Sequence, residues 1–224
     1  ILLMEIDMLL KEIYSEYDYN IEITGVQTDS RFVKPGNLFL PIRGKNFEGD
    51  EFFIDAITKG AVAIVYDKAI HNLTIPVIIV DNLEKELFRL IDLIYEKPYN
   101  ELTMIGITGT DGKTSVSTLT SYLLNHLSRC ANIGTNGIIY DKEIIDNVFT
   151  TPILTQNYSL LREFSNLGIS YVSMEVSSQG IANKRIEGIL YDYAIFTNLS
   201  HEHLDTHKTC LLYTSDAADD LTRV

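Results

Sequence analysis

A glycine-rich bend, Gly106-Ile107-Thr108-Gly109-Thr110-Asp111-Gly112-Lys113-Thr114, separates a short apolar run (residues 102–107) from a segment with helical spacing. Such a bend between a strand and a helix N-terminus is a cradle for phosphate. Its backbone N–H groups and the helix dipole face the anion, and Lys113 adds a full positive charge. The Thr114 hydroxyl is suited to a magnesium ion that bridges phosphates. A nucleoside triphosphate is the expected ligand of Gly109, Thr110, Asp111, Gly112, Lys113, Thr114 and Ser115. The spacing departs from the general P-loop at one place: Ile107 stands where the pattern has glycine, with glycines at 106 and 109 instead.

Two further clusters carry metal chemistry. Met174-Glu175-Val176-Ser177-Ser178 ends an apolar strand, where the Glu175 carboxylate can hold magnesium opposite Thr114. His201-Glu202-His203-Leu204-Asp205-Thr206-His207 is dense in metal ligands and approaches the H-x-H-x-D-H of β-lactamase-type metallo-hydrolases, with its last histidine one residue late. A metal-dependent hydrolase is therefore one alternative. Thr150-Thr151-Pro152 and Thr28-Asp29-Ser30-Arg31 are polar turns that, taken alone, imply only turn chemistry.

The elements that must position these groups alternate. Residues 1–13 read as an amphipathic helix with Ile6, Leu9, Leu10 and Ile13 on one face. Strands are expected at residues 21–24, 38–42, 61–65 and 77–80, the last two as apolar runs covered on both faces. A short helix over 51–59 should bury Phe52, Phe53, Ala56 and Ile57. Asn82 caps a helix to residue 96 with the stripe Leu83, Leu87, Leu90, Ile91 and Ile94, and Pro98 stops it. Beyond a boundary at 97–100 come the bend, a helix striped by Val116, Leu119, Leu123, Leu124 and Leu127, a helix over 156–166, and strands at 171–176 and 193–199. This pattern predicts an open, mostly parallel α/β sheet whose functional groups gather at the carboxyl ends of its strands. Three polar clusters fall there: Gly109–Thr114, Glu175–Ser178 and Asn198–Asp205.

Composition narrows the partners. The 224 residues suit one large or two modest domains, and 46% are apolar. No apolar run approaches the roughly 20 residues of a membrane span. A net charge of −13 disfavours nucleic acid and anionic membranes. Lys113, Arg185, Arg31, Arg43 and Lys45 are the cations able to reverse the field in one cleft, since screening over about 8–10 Å mutes remote acids. Cys130 and Cys210 have neither metal nor disulfide spacing, which points to reduced thiols and a cytoplasmic protein.

Together, TDSRFVKPGNLF, GAVAIV, GITGTDGKTS, NIGTNG, the TTP loop, MEVSSQG and NLSHEHLDTH resemble the Mur ligases, over about residues 21–209. Within that family they resemble the branch that adds a diamino acid. The MurF branch and the folylpolyglutamate synthases share fewer of the motifs and remain alternatives. The resemblance implies a small α/β uridine-nucleotide-binding domain over residues 1–98. A P-loop, mostly parallel α/β ATPase domain, incomplete here, would occupy residues 99–209. It implies an ATP-dependent ligase that activates the D-glutamate carboxylate of UDP-N-acetylmuramoyl-L-alanyl-D-glutamate as an acyl phosphate, which the amine of L-lysine or meso-diaminopimelate then attacks. ATP and magnesium are the implied cofactors. The implied partners are small molecules only, and a monomer is expected. By position, Lys113, Glu175 and His203 would be catalytic, and Thr114, Glu175 and His203 would hold magnesium. Thr150, Thr151, Ser177, Asn183 and Arg185 would grip the muramoyl dipeptide, and Thr28, Ser30, Lys45, Asn46 and Phe47 would line the uridine site. Departures include Asn183 for a glutamine, Gln179 for a histidine, Glu48-Gly49-Asp50 for D-G-H, and Phe149 for an asparagine. Residues 210–224 resemble nothing in the family and are expected to be a non-native tail, leaving a fragment that does not itself ligate.

Overall fold

The computed structural model describes residues 8–42 and 50–200. The chain divides into two compact units, the first ending at Glu96 and the second beginning at Lys97.

In the first unit, strands Met8–Leu9 (β1) and Glu22–Ile23 (β2) pair antiparallel around a single helical turn, Leu10–Ile13 (α1). Of the helix expected over residues 1–13, the described residues hold only that turn, and residues 1–7 lie outside them. Leu9 is drawn into the strand pair, while Leu10 and Ile13 remain buried. One turn has too few internal hydrogen bonds to persist without such tertiary support.

The main sheet of this unit runs Gly25–Gln27 (β3), Asn37–Phe39 (β4), Ala63–Tyr66 (β5) and Val77–Ile79 (β6), in that order and all parallel. Helix Phe53–Thr58 (α2) lays Phe53 edge-on between Phe39 and Tyr66, at 6.5 and 5.2 Å between ring centroids. Such edge-to-face contacts add to the area that the rings bury. Phe52 falls in the preceding 3-10 turn and is exposed, and Ile57 is only half-buried, against expectation. Ile79 is also half-exposed, because β6 is an edge strand rather than one covered on both faces. Helix Leu83–Tyr95 (α3) follows the periodicity: Asn82 Oδ1 accepts from the Lys85 N–H at 2.8 Å, and Leu87, Leu90, Ile91 and Ile94 are buried.

The second unit holds a six-stranded sheet. Its strands are Thr103–Thr108 (β7), Cys130–Gly134 (β8), Gly137–Tyr140 (β9), Glu143–Ile145 (β10), Tyr171–Glu175 (β11) and Tyr193–Phe196 (β12). The order is β10-β9-β8-β11-β7-β12. The strands β8, β11, β7 and β12 are parallel, and β9 and β10 form an antiparallel margin. The mostly parallel α/β reading holds. From β7 the chain crosses to β8 on one side, and from β11 it crosses to β12 on the other. This reversal opens a crevice at the strands' carboxyl ends. Helices Lys113–Leu124 (α4), Leu154–Asn166 (α5) and Ser178–Ala182 (α6) complete the unit.

Helix α4 corrects the sequence reading. Leu119, Leu123 and Leu127 are 57%, 57% and 77% exposed, while Ser117 and Ser121 are buried. The helix approaches the sheet through its small residues, closely enough for Ser173 Oγ on β11 to donate to the Ser117 carbonyl at 2.9 Å. Leu119, Leu123 and Leu127 therefore face away, while Val116 and Leu124 of the expected stripe are half-buried. Among the described residues no helix is long and apolar enough to cross a membrane.

Candidate active site

Four strand ends meet in the crevice. After β7, the bend 109–112 leads into α4. Its shape is set by the segment after β12: Asn198 Oδ1 accepts from the Asp111 N–H at 2.9 Å, its Nδ2 donates to the Asp111 carbonyl at 3.1 Å, and its own carbonyl accepts from the Thr110 N–H at 2.9 Å. The Thr197 hydroxyl donates to the Asp111 carbonyl at 2.6 Å. A β-carbon on Gly109 would stand 2.1 Å from Thr197 Oγ1, so only glycine fits there. With Thr110 and Asp111 committed to this clamp, the amides at the start of α4 carry no side-chain cap. The first amides of a helix lack intrahelical partners and face positive dipole, which suits them to phosphate oxygens. Lys113 Nζ folds onto the bend, donating to the Gly109 and Thr110 carbonyls at 2.7 Å each. Asp111, Gly112 and Ser115 are exposed, and Thr110, Lys113 and Thr114 half-exposed, so the bend is open to a ligand.

Glu175, at the end of β11, is 1% exposed. Its Oε2 accepts from the Thr114 hydroxyl at 2.9 Å and from the Thr135 hydroxyl at 3.3 Å, and its Oε1 accepts from the Thr135 N–H at 2.9 Å. The carboxylate thus lies on the same side of the sheet as the phosphate cradle. A carboxylate and a hydroxyl in contact are the hard oxygen donors that a magnesium ion takes, so these residues fit the metal that the bend implies. Thr135 and Gly134, at the end of β8, were not singled out from the sequence. Their signal was the N-I-G-T-N-G run, whose role appears only once β8 is placed beside β11.

A second polar cluster adjoins the first. Thr151 is fully buried, and its hydroxyl donates to the Glu175 carbonyl at 3.0 Å. A hydroxyl has one proton, so the 3.0 Å contact between Ser177 Oγ and Thr151 Oγ1 has Ser177 as donor. Ser177 Oγ also caps α6 by accepting from the Gly180 N–H at 3.0 Å. Likewise Thr135 spends its proton on Glu175, so Thr150 donates to Thr135 across 3.1 Å. Arg185 Nη1 donates to the Thr151 carbonyl at 2.9 Å, and its guanidinium lies 4.2 Å over the Phe149 ring. Arg185 has no acidic partner among the described residues, and burial pushes its pKa down from the usual arginine value. Asn183 is exposed and donates to the Gln179 carbonyl of its own helix at 2.8 Å.

Against this geometry, two family models match: the Mur ligase middle domain over residues 107–217, and the Mur ligase family catalytic domain over residues 22–91. The chain belongs to the Mur ligase family. Curated Mur ligases similar to it include UDP-N-acetylmuramoyl-L-alanyl-D-glutamate–2,6-diaminopimelate ligase of Haemophilus influenzae (strain PittGG), 37% identical over 87% of this chain and 42% of that protein. UDP-N-acetylmuramyl-tripeptide synthetase 2 of Oceanobacillus iheyensis is 41% identical over 83% of this chain and 38% of its own length. The chain therefore spans about two-fifths of these relatives. A solved UDP-N-acetylmuramoyl-L-alanyl-D-glutamate–2,6-diaminopimelate ligase superposes with a TM-score of 0.66 at 25% identity, covering 94% of this chain and 44% of that one. MurF ligase from Thermotoga maritima, solved with ADP, superposes at 0.59 and 21% identity over 89% of this chain and 43% of its own, a likeness of fold alone.

In this Mur ligase the structure brings Lys113, Thr114, Glu175, Thr150, Thr151, Ser177 and Arg185 to one end of one sheet. In the other unit, Thr28 is half-buried and Ser30 is buried, its carbonyl accepting from Lys59 Nζ at 3.1 Å. Arg31 pairs with Asp29 at 2.6 Å. Cys130 is a buried free thiol. Ile6, Arg43, Lys45, Asn46, Phe47, the cluster 201–207 with His203, Cys210 and the tail 210–224 lie outside the described residues.

Proposed function

We propose that this chain is part of an ATP-dependent, ADP-forming amide ligase that joins a diamino acid, L-lysine or meso-diaminopimelate, to UDP-N-acetylmuramoyl-L-alanyl-D-glutamate. Such a reaction belongs to the cytoplasmic synthesis of peptidoglycan precursor. The observation that carries the reading is the Thr114–Glu175 contact of 2.9 Å beneath the uncapped start of α4, in a chain of this family. The names of the curated relatives favour the diamino-acid branch over the MurF branch.

On this reading the α4 amides and Lys113 hold the triphosphate. Lys113 leaves its two carbonyl acceptors to neutralise charge on the transferring γ-phosphoryl group. Positioning and electrostatics supply most of the catalysis in such a transfer. Thr114 and Glu175 would hold magnesium, which would supply charge neutralisation for the transfer. Thr150, Ser177 and Arg185 would present the muramoyl dipeptide. Thr151, with its hydroxyl fully used inside the protein, would act by fixing Ser177 and Arg185. The unit ending at Glu96 would carry the uridine nucleotide.

The test is Lys113→Ala in a full-length counterpart. Substrate-dependent ADP release should fall by at least about a thousandfold, the scale of losing a main charge-stabilising group. Affinity for the UDP-linked substrate should stay within about twofold, on the same premise that Lys113 serves the phosphates alone. Retained ADP release would refute the assignment.

A further inference from the structure

Arg185 combines three features that the reading above does not explain together: a half-buried side chain, no acidic partner among the described residues, and an aromatic ring whose centroid lies 4.2 Å from its Cζ. Among the described residues one protein acceptor fixes its donors, the Thr151 carbonyl on Nη1 at 2.9 Å. The backbone beneath is also held, since Asn157 Nδ2 donates to the Arg185 carbonyl at 2.8 Å and to the Pro152 carbonyl at 3.0 Å. A long side chain carries much rotamer entropy, and one hydrogen bond leaves it free to swing about that bond. The ring removes this freedom. It holds the cation over its π-face without consuming a single N–H, because that attraction needs none of them.

From this geometry we infer that Phe149 is a positioning residue for Arg185: its ring fixes the guanidinium plane, so that the remaining N–H donors stay available as a preformed fork for a carboxylate of the substrate. The inference rests on the proposed function, in which Arg185 grips the muramoyl dipeptide, and it deepens it. A carboxylate matches two parallel N–H groups in one plane, and that match holds only while the plane is held. An acid beside Arg185 would fix it too, but would compete with the substrate for those donors.

The experiment measures binding of UDP-N-acetylmuramoyl-L-alanyl-D-glutamate to the 224-residue chain by calorimetry, with a fluorescent ATP analogue and the thermal midpoint as controls. Phe149→Leu keeps an apolar side chain of similar bulk and loses the π-face. It should weaken the UDP-linked ligand about three- to thirtyfold, the range a partly desolvated cation–π contact spans. Phe149→Tyr and Phe149→Trp should restore it, while ATP affinity and the thermal midpoint stay unchanged throughout. If Arg185→Ala weakens the ligand but Phe149→Leu binds like the parent, the positioning role is overturned and the proposed function stands. If Phe149→Leu weakens the ATP analogue and the UDP-linked ligand alike, the ring is only structural and the inference is again overturned. If Arg185→Ala binds like the parent, the reading of Arg185 fails, and this inference with it.

Discussion

A β-carbon on Gly134 would stand 2.0 Å from Oε1 of Glu175, far inside any real contact. The end of β8 is therefore moulded around the carboxylate at the end of β11. The Thr135 N–H and hydroxyl, one residue on, hold both of its oxygens. Three protein donors fix an acid that has almost no solvent exposure; if Glu175 holds magnesium as proposed, groups that orient it matter nearly as much as the ligand itself.

Gly134→Ala should displace the Glu175 carboxylate from Thr114. The expected outcome is a loss of about 10- to 100-fold in the magnesium-dependent part of ATP affinity, the usual cost of disturbing a ligand's supporting groups. The check is titration of a fluorescent ATP analogue with magnesium and with a chelator. An equal loss in both titrations would mean that the substitution merely disrupts the hairpin.

Asn198→Ala should loosen the cradle from the opposite side. It removes two hydrogen bonds to Asp111, at 2.9 and 3.1 Å, each worth about 1 kcal/mol net. Affinity for ATP should drop by up to about thirtyfold, at 1.4 kcal/mol per tenfold. Asn198→Asp keeps the acceptor, loses the donor and adds a negative charge beside the phosphates, so it should bind more weakly still. Isothermal titration of the three proteins gives the ranking, and an Asp variant equal to the parent would dismiss the clamp.

How far the sequence disclosed this site depends on whether a feature is local. The bend, Glu175 and the segment after β12 were legible because each lies at the end of an apolar run, and strand ends converge in a parallel sheet. Gly134 and Thr135 were not, because their role depends on β8 lying next to β11, a pairing 41 residues apart in sequence, as Asn132 and Ser173 show. The Arg185–Phe149 stack was hidden for the same reason: nothing in the spacing of residues 149 and 185 brings them together. In the first unit, α3 was legible to its cap, since Asn82 and the stripe from Leu87 act within one helix. Met8 and Leu9 depart from the expected N-terminal helix, because strand pairing with residues 22–23 overrides the periodic pattern there.

Helix α4 shows the same failure in a form that can be tested. Its leucines at helical spacing imply a core face, yet the sheet side carries Ser117 and Ser121. Leu123→Ser should change stability by no more than about 0.5 kcal/mol, as an exposed substitution does. Ser117→Leu should cost about 1–3 kcal/mol by forcing the helix off β11. Urea denaturation of both variants decides the orientation, and the reverse ranking would turn the helix over.

The start of the second unit holds an acid-sensitive contact. Glu101 accepts from the Ser165 hydroxyl and from Arg162 Nη1 at 3.1 Å, joining the 3-10 turn before β7 to α5. These partners, the Ser165 hydroxyl foremost and then the Arg162 guanidinium, hold the Glu101 carboxyl below its usual range, against a smaller opposing effect of burial. A carboxyl whose folded-state pKa is depressed contributes stability that is fully present above its unfolded-state value, about 4.3. That contribution is lost as pH falls through the folded-state value. Because Glu101 is half-exposed, the contribution at neutral pH is no more than about 1 kcal/mol. Glu101→Gln should therefore lower the thermal midpoint slightly at pH 7 and flatten its decline below about pH 4.5, where the parent loses the contact and the variant has no charge to lose. Midpoints measured from pH 7 to pH 3 test this, and two parallel curves would show that the Glu101–Arg162–Ser165 contact carries no linked proton.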